Sequence, residues 1–380
     1  MKHIMKISEA ETPRLLLDPI RLQRNIDNMA ARCESLGVAL RPHLKTPKSL
    51  KVAERALSDT SAPITVSTLK EAEYFAQGGY ENILCAAASA PTKIAHAVKI
   101  LRETGTSVVL VTDSAELVKA ADNRAKELDA SFQFLIEVDC GEHRSGVQPA
   151  SPELLACADA LQNADNLTLA GVMTHAGHSY GQSNPEEIAA VAETERAAAV
   201  SSADLLRDNG HDCKIVSIGS SPTVLHAIHL DGVTEARAGV YLFWDLAQYS
   251  RGICSLDDIA VSVLATVIGH NRAGQSLVLD AGALALSKDI SANTFLPDVK
   301  YGYLCDVKTM ERLDGLSVRD AYQEHGMVPV PDETWFNRLP IGSQVRILPN
   351  HTCMTCAAYD AYDVVKNDEI IDTWPRVNGW

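Results

Sequence analysis

The sequence predicts an α/β fold: a (β/α)8 TIM barrel joined to a mainly β domain. Two observations predict it. Eight short β-rich runs recur between residues 38 and 243, with amphipathic helix patterns between them. After residue 250 the helix patterns give way to β-like runs separated by Gly, Pro, Asn and Asp. Eight β-then-α units in about 230 residues fit a barrel of about 250 residues better than an open doubly wound sheet.

The runs are 38–44, 64–69, 82–87, 107–113, 132–139, 167–175, 214–220 and 235–243. Residues 48–57 put Leu50, Ala53 and Leu57 near one helix face. Residues 92–105 place Ile94, Val98 and Leu101 at helical spacing and stop at Gly105, a residue suited to a C′ position. Residues 114–128 follow an Asp113 or Ser114 cap. Residues 184–210 read as one long helix with Pro185 in its first turn and Gly210 at its end. The second domain is read from runs at 259–270, 275–282, 343–350 and 361–374, with the segment before Pro19 expected to pair with it. The stretch 289–340 receives no assignment. The expected division is a barrel over 18–250 and a β domain made of 1–17 and 251–380.

Length and charge narrow the function. At 380 residues the chain exceeds one ordinary domain. Its 34 Lys and Arg against 49 Asp and Glu give a net charge of −15, which opposes binding to a nucleic-acid backbone. An anionic small-molecule substrate would therefore need a local basic site. No run approaches the roughly 20 apolar residues of a membrane span, and the first residues carry no apolar signal-peptide core. Nine cysteines, an odd number without framework spacing, read as free thiols in a cytoplasmic protein.

Barrels carry their chemistry at the carboxyl ends of the strands. Those ends hold Arg41 to Thr46, Asp139 to Arg144, Thr174 to Tyr180, Gly219 to Thr223 and Ala238 to Tyr241. Gly219-Ser220-Ser221-Pro222-Thr223 supplies hydroxyls and backbone N–H groups where barrels often take phosphate, and Gly239 permits close backbone approach. An ordinary cap and turn is the competing reading. Lys45 ends the first strand. A lysine and a phosphate site in one barrel mouth suggest pyridoxal 5'-phosphate, whose aldehyde condenses with a Lys amine. Against this stands a solvated surface lysine, with Lys48 three residues on. Near the C-terminus, His351 and Cys353 would share one face of an extended segment and could hold one divalent ion with positions left open. A reduced cysteine pair, Cys353 and Cys356, beside a loop histidine is the alternative.

Taken together, Arg41-Pro42-His43-Leu44-Lys45-Thr46 resembles the pyridoxal-lysine motif of the D-serine dehydratase and D-threonine aldolase family, fold-type III enzymes similar to alanine racemase. The resemblance extends through Thr12-Pro13, Val138-Asp139-x-Gly141, Arg144-x-Gly146, Gly177 to Tyr180, Arg237-x-Gly239-x-Tyr241-x-Phe243-x-Asp245 and Pro349-Asn350-His351-Thr352-Cys353. It departs from the family pattern at Pro47, where His is usual, and at Val240, where Asn is frequent.

The resemblance implies a lyase with Lys45 as the catalytic amine and cofactor anchor. Arg144 would face the cofactor's phenolic oxygen and His175 its ring. Tyr180, Ser220, Ser221, Thr223, Gly239, Val240 and Tyr241 would meet its phosphate or ring edge. His351 and Cys353 would hold zinc, manganese, cobalt or magnesium. The His-x-Cys form favours dehydration of D-3-hydroxy amino acids, with D-threo-3-hydroxyaspartate to oxaloacetate and ammonia foremost. D-serine dehydration to pyruvate, D-threonine cleavage and a non-catalytic cofactor-binding barrel are the alternatives. The family also implies a homodimer.

Overall fold

The computed structural model describes residues 4–380. The chain forms two compact units. One is Asp27–Gly239 with Val377–Trp380; the other is the chain up to Ile26 with Val240–Arg376.

The first unit is the barrel. Its strands are β1 (Ala39–Leu40), β2 (Ile64–Val66), β3 (Ile83–Ala88), β4 (Val109–Thr112), β5 (Phe132–Val138), β6 (Leu167–Thr174), β7 (Ile215–Ile218) and β8 (Glu235–Ala236). Neighbours pair in parallel in chain order from β2 to β8, and β8 then pairs with β1. The ring closes just past β1, where His43 bridges Thr65. Leu44 N donates to the Thr65 carbonyl at 2.8 Å and Thr65 N to the Pro42 carbonyl at 2.9 Å. All eight sequence runs hold a strand. The last is much shorter than the run 235–243, because the chain leaves β8 and enters a 3-10 turn at Val240–Leu242.

The helices start and stop where local chemistry directs. Ser114 accepts from Leu117 N at 3.3 Å, capping the helix Ala115–Glu127. Gly105, at φ +79°, ends the helix Ile94–Thr104. Asn184 caps Pro185–Asp208, accepting from Glu186 N at 2.8 Å with Pro185 in the first turn. Leu84, Val111, Leu135, Ala170 and Met173 pack into one apolar cluster that ties β3 through β6 together.

The second unit is an eleven-stranded sheet. Its long strand Val261–Asn271 pairs antiparallel with Arg14–Leu17, Ser276–Leu279 and Gln344–Pro349. Arg14–Leu17 also runs parallel to Ala361–Lys366, so the segment before Pro19 joins the sheet as expected. Ile7, Leu16, Leu264, Val365 and Ile370 form a core cluster. The unassigned stretch holds strands Gly302–Asp306, Arg312–Ser317, Asp320–Ala321 and Gly326–Pro329. These are short, and Lys300, Met310 and Gly315 at positive φ interrupt their alternation, which hides the period-two signal. No helix among the described residues is long and apolar enough to cross a membrane.

Candidate active site

The barrel unit gathers most of the expected cofactor residues at its strand ends. Arg41 has a structural task. Its guanidinium is buried, with Nε 2.8 Å from both Glu235 carboxylate oxygens, and Nη1 donates to Asn82 Oδ1 at 3.0 Å. Lys48 is engaged as well, with Nζ 3.1 Å from the buried carboxylate of Glu71. Lys45 is exposed in the turn after β1 and makes no ion pair among the described residues. Its backbone N–H donates to His43 Nδ1 at 3.4 Å.

Two imidazoles face this lysine electrostatically. Burial, and then the charges of Lys45 and Arg237, hold His43 well below the usual histidine value. Burial, then Lys45 and Arg144, depress His175 to about 3. His175 Nδ1 meets the Gly219 carbonyl, so Nδ1 carries the proton and the ring is neutral. Arg144 is exposed, with Nη1 3.4 Å from Glu142 Oε1 and Nη2 3.8 Å from Glu137 Oε1. Burial raises the Glu137 carboxyl in spite of its bond from the Ser145 hydroxyl at 2.9 Å.

The loop after β7 is a compact set of hydroxyls. Ser220 caps the short helix Ser221–His226, accepting from Thr223 N at 3.2 Å. Ser220 Oγ lies 3.1 Å from Ser179 Oγ and 2.9 Å from Thr223 Oγ1. Ser221 Oγ is buried with no hydrogen-bond partner, and so is His178 Nδ1. A buried hydroxyl without a partner is costly and points to a missing acceptor. Tyr180 sits half-buried in the turn Gly177–Gly181. A Cβ at Gly239 would lie 2.8 Å from the His43 carbonyl oxygen, so only glycine fits there. Val240 and Tyr241 belong to the second unit, in the 3-10 turn after Gly239.

Sequence reading missed Glu195. It is fully buried on the long helix and accepts from Ala176 N, Gly219 N and two threonine hydroxyls. The signal was present: residues 188, 192, 195, 199 and 202 form one buried stripe with an acid in its middle. Arg237 was named from sequence only within the family pattern and without a task; its buried guanidinium donates to Ser217 Oγ and the Thr174 carbonyl.

In the second unit the segment after Gln344–Pro349 is not extended, as the sequence reading required. His351 is extended, at φ −136°, but as the N-cap of a helical turn, Thr352–Cys356, that contains Cys353. Buried donors fix this turn. Asn350 Nδ2 donates to the Lys300 carbonyl at 2.6 Å, and Thr352 N donates to Asp245 Oδ2 at 3.0 Å. The turn still brings His351 and Cys353 into hydrogen-bond contact. His351 Nδ1 bonds Asp289 Oδ2 at 2.8 Å, so Nε2 is the nitrogen that a metal on this ring would take. Burial disfavours an imidazolium here, yet Asp289, Cys353 and Asp245 outweigh it and raise His351 to about 11. This is an environment that attracts positive charge. No group of three or more His, Cys, Asp or Glu side chains placed to hold a metal occurs among the described residues.

A parallel eight-stranded barrel with a lysine just past β1, in one chain with a β unit that brings His351 and Cys353 together, is the architecture of an alanine-racemase-like enzyme. Residues 17–246 match the family "Alanine racemase, N-terminal domain", and residues 260–365 match "Putative serine dehydratase domain". The chain belongs to this family of alanine-racemase-like serine dehydratases. It is 41% identical over 374 residues to D-threo-3-hydroxyaspartate dehydratase of Delftia sp. (strain HT23), covering 97% of this chain and 98% of that protein. It is 30% identical to D-serine dehydratase of Dictyostelium discoideum, covering 98% of each. A solved structure of the Delftia sp. HT23 enzyme matches with TM-score 0.94 at 41% identity, over 99% of this chain and 100% of that one. Another solved structure, a cysteine-to-alanine mutant of D-threo-3-hydroxyaspartate dehydratase in the metal-free form, matches with TM-score 0.95 at 41% identity, over 99% and 100% of the two chains.

Proposed function

We propose that this chain is a pyridoxal 5'-phosphate- and divalent-metal-dependent dehydratase of D-3-hydroxy amino acids, converting D-threo-3-hydroxyaspartate to oxaloacetate and ammonia. The observation that carries the reading is the 41% identity to a dehydratase of that substrate along 97% of the chain. The residues fit the cofactor. Lys45 is the amine that would hold it, and the partnerless Ser221 hydroxyl is a donor awaiting an anion. Neutral His175 suits the ring, with Arg144 at the phenolic oxygen. Tyr180, Gly239, Val240 and Tyr241 complete the proposed set, with Ser220 and Thr223 building the loop that presents Ser221. A nitrogen and a sulfur donor with a carboxylate behind the imidazole suit a zinc-like ion on His351 and Cys353.

When bound, the cofactor supplies an electron sink for negative charge at Cα, and the ion a Lewis acid for the departing hydroxyl. Lys45, as a free amine, removes the α-proton. Arg144 neutralises anionic charge beside it. His175, kept neutral, packs without adding a second cation. Asp289 fixes the tautomer of His351. Loss of the hydroxyl followed by hydrolysis gives the keto acid and ammonia. The nine cysteines form no disulfide among the described residues, which suits a reducing cytoplasm. A homodimer is the proposed assembly, as the resemblance to fold-type III enzymes implies.

The test is a panel of D- and L-3-hydroxy amino acids given to the cofactor-loaded chain with and without chelator. Ammonia and oxaloacetate from the D-threo substrate, abolished by chelation, are expected. Glycine plus an aldehyde, or turnover indifferent to chelator, would refute the reading.

A further inference from the structure

We infer that Glu195 is a positioning residue for the cofactor's phosphate, acting through a one-way chain of hydroxyls. The inference rests on the cofactor reading above and goes beyond it.

Glu195 is wholly buried, and no cation lies within ion-pair distance of it among the described residues. A buried carboxylate is expensive unless its oxygens are satisfied by other means. Here four donors satisfy them: Ala176 N at 3.1 Å, Gly219 N at 3.0 Å, Thr174 Oγ1 at 3.2 Å and Thr223 Oγ1 at 2.7 Å. One side chain thus ties the end of β6, the end of β7 and the start of the following helix. Gly219 in turn accepts from His175, so the same carboxylate sets the loop that orients that ring.

The carboxylate also sets direction. It can only accept, so the single Thr223 proton points to it. Thr223 must then accept from Ser220, at 2.9 Å. Ser220, its proton spent, accepts from Ser179 at 3.1 Å and from Thr223 N at 3.2 Å. The chain runs Ser179, Ser220, Thr223, Glu195. Neither Ser220 nor Thr223 keeps a proton for a phosphate oxygen. Ser221 does, because its hydroxyl alone in this loop has no partner. Glu195 therefore selects which hydroxyl meets the phosphate and holds the other two as framework.

The experiment titrates the apo chain with pyridoxal 5'-phosphate and, separately, with pyridoxal, which lacks the phosphate. Imine absorbance reads the affinity. Glu195→Gln turns one acceptor into a donor and reverses the chain at Thr223. It is expected to weaken pyridoxal 5'-phosphate binding by about tenfold or more and to move the ³¹P resonance of the bound cofactor. Pyridoxal binding should change far less, because the Gln Oε1 still accepts from Ala176 N and Gly219 N and keeps the His175 loop in place. Thr223→Val, which removes the last hydroxyl, should give a smaller loss of the same phosphate-specific kind and serves if the first variant does not fold. Equal losses for both vitamers, or none for either, would overturn the assignment. A wild-type chain that binds the two vitamers alike would instead overturn the cofactor reading, and this inference with it.

Discussion

The barrel and the sheet unit place their candidate site residues by different rules. In the barrel, strands pair in the order in which the chain makes them, and each strand end delivers its residues to one rim. Lys45, Arg144, His175 and Ser220 are carried there by four such units, far apart in sequence but equivalent in position. In the sheet unit, Arg14–Leu17 pairs with Val261–Leu264, and His351 takes its partner Asp289 from a stretch without regular pattern. The comparison teaches that a repeating topology advertises where its candidate residues gather, whereas a non-repeating one hides the partners of the residues a motif picks out.

If the two regions hold separate halves of the chemistry, each half should fail alone. Lys45→Ala is expected to have the largest effect, a loss of about 10⁴-fold in turnover. Borohydride should then trap no cofactor on the chain, while bound metal stays at the wild-type level. Metal loss in that variant would break the separation. Next comes Cys353→Ala. Loss of the ion and of about 10³-fold in dehydration is expected, because several kcal/mol of charge stabilisation leave with it. Cofactor absorbance should persist. Elemental analysis beside the visible spectrum decides, and a metal-replete, active variant would remove Cys353 from the site.

Smaller, and confined to stability, is the effect of Arg41→Ala. The buried Arg41–Glu235 pair, at 2.8 Å, joins β1 to β8, and Ser217 Oγ also bonds Glu235 at 2.6 Å. Removing one partner strands the other charge, at a cost of about 3 kcal/mol. Denaturant unfolding of the apo chain would measure it. A change below about 1 kcal/mol would mean that water reaches the pair.

That arginine also shows how much of the molecule was legible. The motif containing Arg41, His43 and Lys45 was found from sequence, but not its internal division of labour: Arg41 turns inward to Glu235, while Lys45 stays at the surface. Such a division depends on a partner almost 200 residues away, which no local pattern reveals. Glu195 hid for another reason. In a helix rich in Glu and Ala it resembles the solvated Glu186, Glu187 and Glu193, and only its place on the buried stripe sets it apart. The His351–Cys353 pair was placed together from sequence, but on the wrong backbone. Extended and helical backbones can both bring those two side chains together, and the buried Asn350 and Asp245 that choose the helical turn lie outside any local signal.

The smallest predicted effect concerns protons in the barrel. His43 and His175 are both held below the ordinary histidine value, His175 at about 3, by burial and by Lys45, Arg144 and Arg237. In the unfolded chain the same rings titrate near pH 6.5. Between those values the unfolded state binds more protons than the folded one, so stability rises with pH across this window and falls as the solution is acidified. Each ring contributes up to about 1.4 kcal/mol per pH unit. His175→Gln keeps a donor for the Gly219 carbonyl and removes the titration. Urea unfolding of the apo forms at pH 6.5 and 5.5 should therefore show a shallower loss in the variant, by about 1 kcal/mol. Parallel losses would mean that solvent or a counter-ion reaches the ring, and that the barrel rim is less closed to protons than its geometry requires.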